Sequence, residues 1–261
     1  MSPSGGNEHR AIECGAVPIY KMVVAYDGTA YRGWQVQPGG DTLQGRLQEA
    51  LSRMAKAHVD VIAAGRTDAG VHALAQTAHF RLERTIPVDG MLRGLNTMIP
   101  DDIRVRAIEE APSDFHARYS ARSKTYRYYL DPGSVPLPFR SRFAVHYPYP
   151  LDRNALDQAA GSFLGEHDFA GFRASSCGAK TTTRCVLESR WLDEASELVF
   201  EVTATGFLHH MIRNMVGTLL QIGGGKRSVE SITELFSSGD RTQAGPTAAA
   251  KGLHLIRVDY P

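Results

Sequence analysis

The chain is poor in cysteine, carries almost no surplus of charge and contains no long apolar run. Its three cysteines, Cys14, Cys177 and Cys185, are scattered through 261 residues, and no C-x-x-C occurs. An odd, dispersed set excludes a disulfide framework and a zinc ribbon, and it fits reduced thiols in a cytoplasmic protein. Lys and Arg number 29 against 28 Asp and Glu, a net charge of +1. A basic surface for a polyanion must therefore be local rather than global. No apolar stretch approaches the roughly 20 residues that a membrane-spanning helix needs, so no membrane partner is expected. The first 18 residues include Gly5, Gly6, Glu8, His9 and Arg10 and have no apolar h-region. They are expected to be a disordered tail rather than a signal peptide. There is no H-E-x-x-H. Gly223-Gly224-Gly225-Lys226 falls short of a P-loop, because Leu220 stands where the first glycine belongs and Arg227 where Ser or Thr belongs; a helix C-cap is the better reading. Glu166-His167-Asp168 is expected to be a loop, since three adjacent side chains do not easily converge on one metal ion.

Hydrophobic residues make up 43% of the chain, enough for one large core or two ordinary ones. Ile19–Tyr26 is β-branched and aromatic and ends at Asp27-Gly28, which predicts a strand. Asp41 or Thr42 caps a helix whose apolar stripe is Leu43, Leu47, Ala50, Leu51 and Met54. Strands are predicted over 59–64, 75–82 and 103–110, with a short helix from Pro87 to about Asn96. This order, β-α-β-β-α-β, recurs after residue 114. A strand over 121–130 and a Pro-rich connection over 131–150 come first. A helix over 154–164, a hairpin turning at Asp193-Glu194 and a long helix over about 208–222 follow. A shorter helix near 229–236 and a strand over 253–260 complete the unit. The expected fold is α+β: two ferredoxin-like halves, residues 19–114 and 115–261, with mainly antiparallel sheets and an active site in the cleft between them.

Three constellations carry chemistry. In Ala63-Ala64-Gly65-Arg66-Thr67-Asp68-Ala69-Gly70-Val71-His72-Ala73, two glycines frame one guanidinium and one carboxylate after a β-prone run. Glycine permits positive φ and close approach. An Asp kept ionised beside an Arg is a nucleophile or base, although a turn Asp more often bonds its own backbone. In the segment 115–130, Arg118, Arg122, Lys124 and Arg127 alternate with Tyr119, Tyr126, Tyr128 and Tyr129. Strand alternation places Arg122, Lys124, Tyr126 and Tyr128 on one face. Cations that meet phosphates and rings that stack on bases suit RNA; a half-buried strand accounts for the same residues about as well. Arg213 lies beside the apolar stripe of the long helix, one turn from Gly217 and just after His209 and His210. It is either a surface cation or the partner of a carboxylate or phosphate.

The motif GRTDAGVHA at 65–73 resembles the catalytic loop of the TruA-type tRNA pseudouridine synthases. So do YDGTAYRGWQ at 26–35, TLQGRLQEAL at 42–51, FHARYSARSKTYRYYL at 115–130 and GEHDFAGFR at 165–173. GFLHHMIRNMVGTLLQIGGGK at 206–226 and AGPTAAAKGLHL at 244–255 complete a likeness that covers nearly the whole chain after residue 18. One departure is Ala249, where the family commonly has Pro. The resemblance implies isomerisation of uridine to pseudouridine at positions 38, 39 and 40 of tRNA, without metal or other cofactor, by a homodimer. It puts the nucleophile on Asp68, the active-site tyrosine on Tyr126, the carboxylate's arginine partner on Arg213 and an RNA-guiding role on Arg66. Arg122 and Lys124 are expected to bind the substrate. Two other classes remain open at this point. A retaining glycosidase also uses an Asp nucleophile but needs a second carboxylic acid, and a non-catalytic RNA-binding module needs the basic aromatic strand but not Asp68.

Overall fold

The computed structural model describes residues 17–83 and 85–261, so most of the expected N-terminal tail lies outside the described residues. Strand β1 (Ile19–Tyr26) buries Tyr20, Met22, Val24 and Tyr26 at alternate positions, the period of two that turns one face of a strand to a core. Helix α1 (Leu43–Ala55) is capped by the Thr42 side chain, which accepts from the Gly45 N–H, while Asp41 pairs with Arg46 at 2.6 Å. Strands β2 (Ile62–Ala63) and β3 (His72–Arg81), helix α2 (Val88–Met98) and strand β4 (Ile103–Ala111) complete the first unit. The second comprises β5 (Ser123–Asp131), β6 (Val145–His146), α3 (Arg153–Gly161), β7 (Gly165–Asp168), β8 (Thr183–Glu194) and β9 (Glu197–Ala204). It ends with α4 (Met211–Gly223), α5 (Ser231–Ser238) and β10 (Leu253–Asp259).

One continuous sheet joins both units in the order β4-β1-β3-β10-β5-β9-β8-β7. Within it, β4-β1-β3, with β2 on the far side of β3, repeats the arrangement β10-β5-β9-β8. Each set is the spatial order of a ferredoxin-like β-α-β-β-α-β unit, and nearly all the neighbours are antiparallel. The outer edge of β3 is divided between two partners. β2 pairs with it at His79 and Ala78, whereas β10 runs parallel to it at His72 and Ala73. This two-residue parallel seam is where the units meet, and it falls at the end of β3 that leaves the Asp68 loop.

Several expectations shift. The strand expected over 59–64 shrinks to Ile62–Ala63, and β3 starts three residues early, so the last residues of GRTDAGVHA are strand. Glu166-His167-Asp168 is not a loop: β7 pairs antiparallel with β8, Glu166 opposite Cys185 and His167 opposite Arg184. The hairpin turns at Ala195-Ser196, with Ala195 at φ 52°, and not at Asp193-Glu194. Glu194 stays in the strand, paired with Glu197, and Arg127 on β5 reaches its side chain at 2.8 Å. The long helix begins at Met211, since its N-cap His210 is left-handed at φ 62° and cannot continue the helix backwards. Gly223 closes α4 and Gly224 is its C-cap, as the failed P-loop suggested.

Candidate active site

The Asp68 loop is braced on every side. The Ala64 N–H donates to the Thr77 carbonyl (2.8 Å), the Val71 N–H to the Asp68 carbonyl (3.2 Å) and the Gln76 side-chain amide to the Gly65 carbonyl (2.9 Å). The segment 26–35 wraps over it: the Trp34 N–H donates to the Thr67 carbonyl at 3.0 Å, and the Thr67 and Tyr26 hydroxyls meet at 2.8 Å in the interior. That approach needs glycine. A Cβ on Gly28 would lie 2.0 Å from the Val71 carbonyl oxygen, and one on Gly33 2.7 Å from that of Thr67. Of the two glycines that frame the loop, Gly70 takes positive φ (+77°). Gly65 has another use: a Cβ there would stand 3.4 Å from Lys124 Nζ.

The second unit supplies the facing wall. Arg213, in the first turn of α4, donates from Nη1 to Asp68 Oδ2 at 3.0 Å and from Nε to the Ala248 carbonyl at 2.7 Å. The Ala248 N–H returns a bond to the Arg213 carbonyl at 3.0 Å. Gly217 makes room for this clasp: a Cβ there would sit 1.7 Å from the Pro246 carbonyl oxygen. The loop 244–249 therefore lies directly on α4 and fixes Arg213 from behind. His209 Nε2 and His210 Nε2 stand 3.4 Å from Asp68 Oδ1 and Oδ2 respectively. Burial holds the His210 imidazole below the usual histidine range; Asp68 opposes it, and His209, Arg213 and Arg241 add to it. Among the described residues, Asp68, His209 and His210 are the set that could hold a metal, their ligand atoms lying within 4.8 Å of one another. The Arg213 cation already on the same carboxylate opposes a second positive charge.

The floor comes from β5. Tyr126 is 7% exposed, meets Phe207 edge-on with ring centroids 5.1 Å apart and lines the cavity with Lys124. Burial raises the Tyr126 phenol above its usual range, with Tyr26 and Asp68 adding to the effect, so the hydroxyl keeps its proton. Arg66 also lines the cavity, its Nε 3.1 Å from Gln35 Oε1. Arg122 does not belong here. It precedes β5, is exposed, and its N–H donates to the Asp259 carbonyl at the far end of the strand pair. Arg127, on the opposite face, is neutralised by Glu201 and Glu194, acids that are distant in sequence and so invisible to a local charge count. Arg118, a cation of the basic aromatic segment, is brought in as well, with Trp34 and the two histidines; no chemistry read from the sequence singled out those last three. The whole encloses about 1240 Å³, and among the described residues its lining contains a single carboxylate, Asp68, beside Arg32, Arg66, Arg118, Lys124 and Arg213.

The family model described as tRNA pseudouridine synthase matches residues 22–120 and 159–261. The chain belongs to that family. By that membership it is an isomerase. The two matched stretches contain Asp68, Arg118 and Arg213, while β5 with Tyr126 and Lys124 falls between them. The chain is similar to the tRNA pseudouridine synthase A of Latilactobacillus sakei, with 42% identity over 92% of this chain and 98% of that one. It is 44% identical to the protein of that name from Pelobacter propionicus, over 92% and 98%. Among solved structures, a Cbf5-Nop10-Gar1 complex overlaps 90% of this chain and 57% of its own at 13% identity and a TM-score of 0.36, too loose a likeness to inform the site.

Proposed function

We propose that this protein isomerises uridine to pseudouridine in the anticodon arm of tRNA, at positions 38, 39 and 40, with Asp68 as the reacting carboxylate, no cofactor, and two copies of the chain acting as a dimer. The observation that carries the reading is the meeting of Asp68 with Arg213 across the seam of the two units, 3.0 Å apart, above Tyr126. The relatives of this chain are named for tRNA pseudouridylation.

The reaction breaks the C1′–N1 bond, turns the uracil, joins C5 to C1′ and moves the C5 proton to the freed N1, so the mass is unchanged. A paired, stacked base hides these atoms, and the nucleotide must leave the helix to be reached. The Tyr126 ring offers the detached base a face to stack on while the glycosidic bond is open. Arg213 donates to Asp68 and so fixes the direction of the carboxylate in a cavity that a bound nucleotide would dry. A carboxylate in this position has three routes, addition to C1′, addition to C6, or removal of the C2′ proton, and the arginine contact serves each. The lining argues against a retaining glycosidase, since that chemistry needs a second carboxylic acid and Asp68 is the only one there among the described residues.

The test is incubation of an unmodified tRNA transcript with the protein in EDTA. Carbodiimide-dependent reverse-transcription stops should appear in the anticodon arm. An unchanged transcript, or activity that returns only with added metal, would overturn the proposal.

A further inference from the structure

Arg32, Arg66, Arg118 and Lys124 line the cavity and, among the described residues, form no ion pair. Lys124 stands apart from the other three, for they are exposed and it is half-buried. Its cross-strand neighbours, Ala204 on β9 and Val258 on β10, carry no charge. Its ammonium crosses to the Asp68 loop, where the missing side chain of Gly65 leaves it room. The loop's own acid is engaged by Arg213. The other charged groups that face it, Arg118 from the turn before β5 and Arg184 from β8, are cations too. Burial first, and then these two guanidinium groups, bring its pKa down to about 8. A sheltered ammonium with like charges around it and no acid costs the folded protein stability. Such a socket is completed by an anion.

We propose that Lys124, with Arg118, seats one backbone phosphate of the bound RNA beside the nucleotide that enters the cavity, and so positions that nucleotide over Asp68. The inference rests on the RNA substrate of the preceding section. Uracil is neutral, so the anion a nucleic acid offers is its phosphate, and a compact ammonium meets one phosphate oxygen as a point charge without the planar fit an arginine demands. Lys124 is thus a positioning residue.

The test measures binding, not turnover. An anticodon-arm hairpin is titrated into wild type, Lys124→Met and Lys124→Arg at several salt concentrations and between pH 6.5 and 8.5. Lys124→Met should bind about tenfold more weakly at low salt, with a slope of log affinity against log salt shallower by about 0.7. Wild type should weaken several-fold as the pH rises through 8 and the ammonium is lost. Lys124→Met should not show this change, and Lys124→Arg should restore affinity and stay flat. A hairpin with one uncharged methylphosphonate linkage, placed in turn on the 5′ and 3′ sides of the target uridine, should cost wild type about tenfold at one of the two places and Lys124→Met nothing there. Equal salt slopes for wild type and Lys124→Met, or neutral linkages that penalise both proteins alike, would overturn the proposal. Because pseudouridine is not the readout, RNA held through Lys124 by a protein that isomerises nothing would refute only the proposed function. RNA binding indifferent to Lys124 would refute only this seat.

Discussion

At the scale of single residues, Asp68 and Ala249 make the sharpest predictions. Asp68→Asn keeps the shape of the side chain and leaves Gly70, which carries the turn at φ +77°, untouched. The variant should fold, lose up to about 2 kcal/mol as the charged bond to Arg213 weakens, and bind the anticodon arm within about tenfold of wild type. Its turnover should vanish, because an amide is neither nucleophile nor base at neutral pH. Stopped conversion with retained binding is the pattern to look for, and measurable pseudouridine formation by the purified variant would return Asp68 to the role of a turn residue. Ala249 sits at φ −59°, the value proline imposes. Among the described residues its N–H makes no backbone hydrogen bond, while its carbonyl accepts from the Tyr128 hydroxyl at 2.8 Å. Ala249→Pro should therefore raise stability by about 0.4–1 kcal/mol, seen in denaturant titration, with conversion unchanged. The sequence displayed both residues inside motifs, but only the backbone angle shows that alanine already lies where proline would fit.

Among the elements, α4 decides how the site is held. Gly217→Ala would force a methyl group into the Pro246 carbonyl. The loop 244–249 would have to lift, taking with it the Ala248 carbonyl that Arg213 donates to. A loss of about 1–3 kcal/mol is expected, with a larger fall in turnover than a distant substitution of equal cost, and thermal melts beside initial rates separate the two effects. The apolar stripe of α4 was legible from its spacing, and so were the strands whose burial alternates. Helix and strand periods are local properties. What stayed hidden was set by partners far along the chain. Gly-Glu-His-Asp at 165–168 has no apolar alternation, and it becomes a strand because β8 offers it a backbone edge. Glu194 looks like a turn acid until Arg127 is found across the sheet. Arg122 and Lys124 share an alternation class, yet only Lys124 reaches the cavity, because β5 begins after Arg122.

For the whole molecule, the buried imidazoles set the response to acid. Burial, assisted by His116, brings His79 to about 4. Burial, assisted by His72, does the same for His254. The unfolded chain binds these protons near pH 6.5, so each contributes stability in full above that pH and loses it as the pH falls towards 4. The sum is about 3 kcal/mol apiece at most. Denaturant midpoints should be level from pH 8 to 7 and drop steeply between 6.5 and 4; a flat profile there would mean that water reaches these rings. The proposed dimer predicts a light-scattering mass of twice the single chain at working concentration, and a fully active monomer would contradict it. Finally, β10 occupies the middle of the sheet, between β3 of the first unit and β5 of the second. β1, β3 and β4 can pair among themselves, but Asp68 meets Arg213 across 145 residues of chain, and that meeting waits for β10 to dock on β3. Closing so long a loop comes late in folding. A chain in which only the first unit has folded therefore displays the Asp68 loop without its arginine, and the site appears only when the whole sheet has closed.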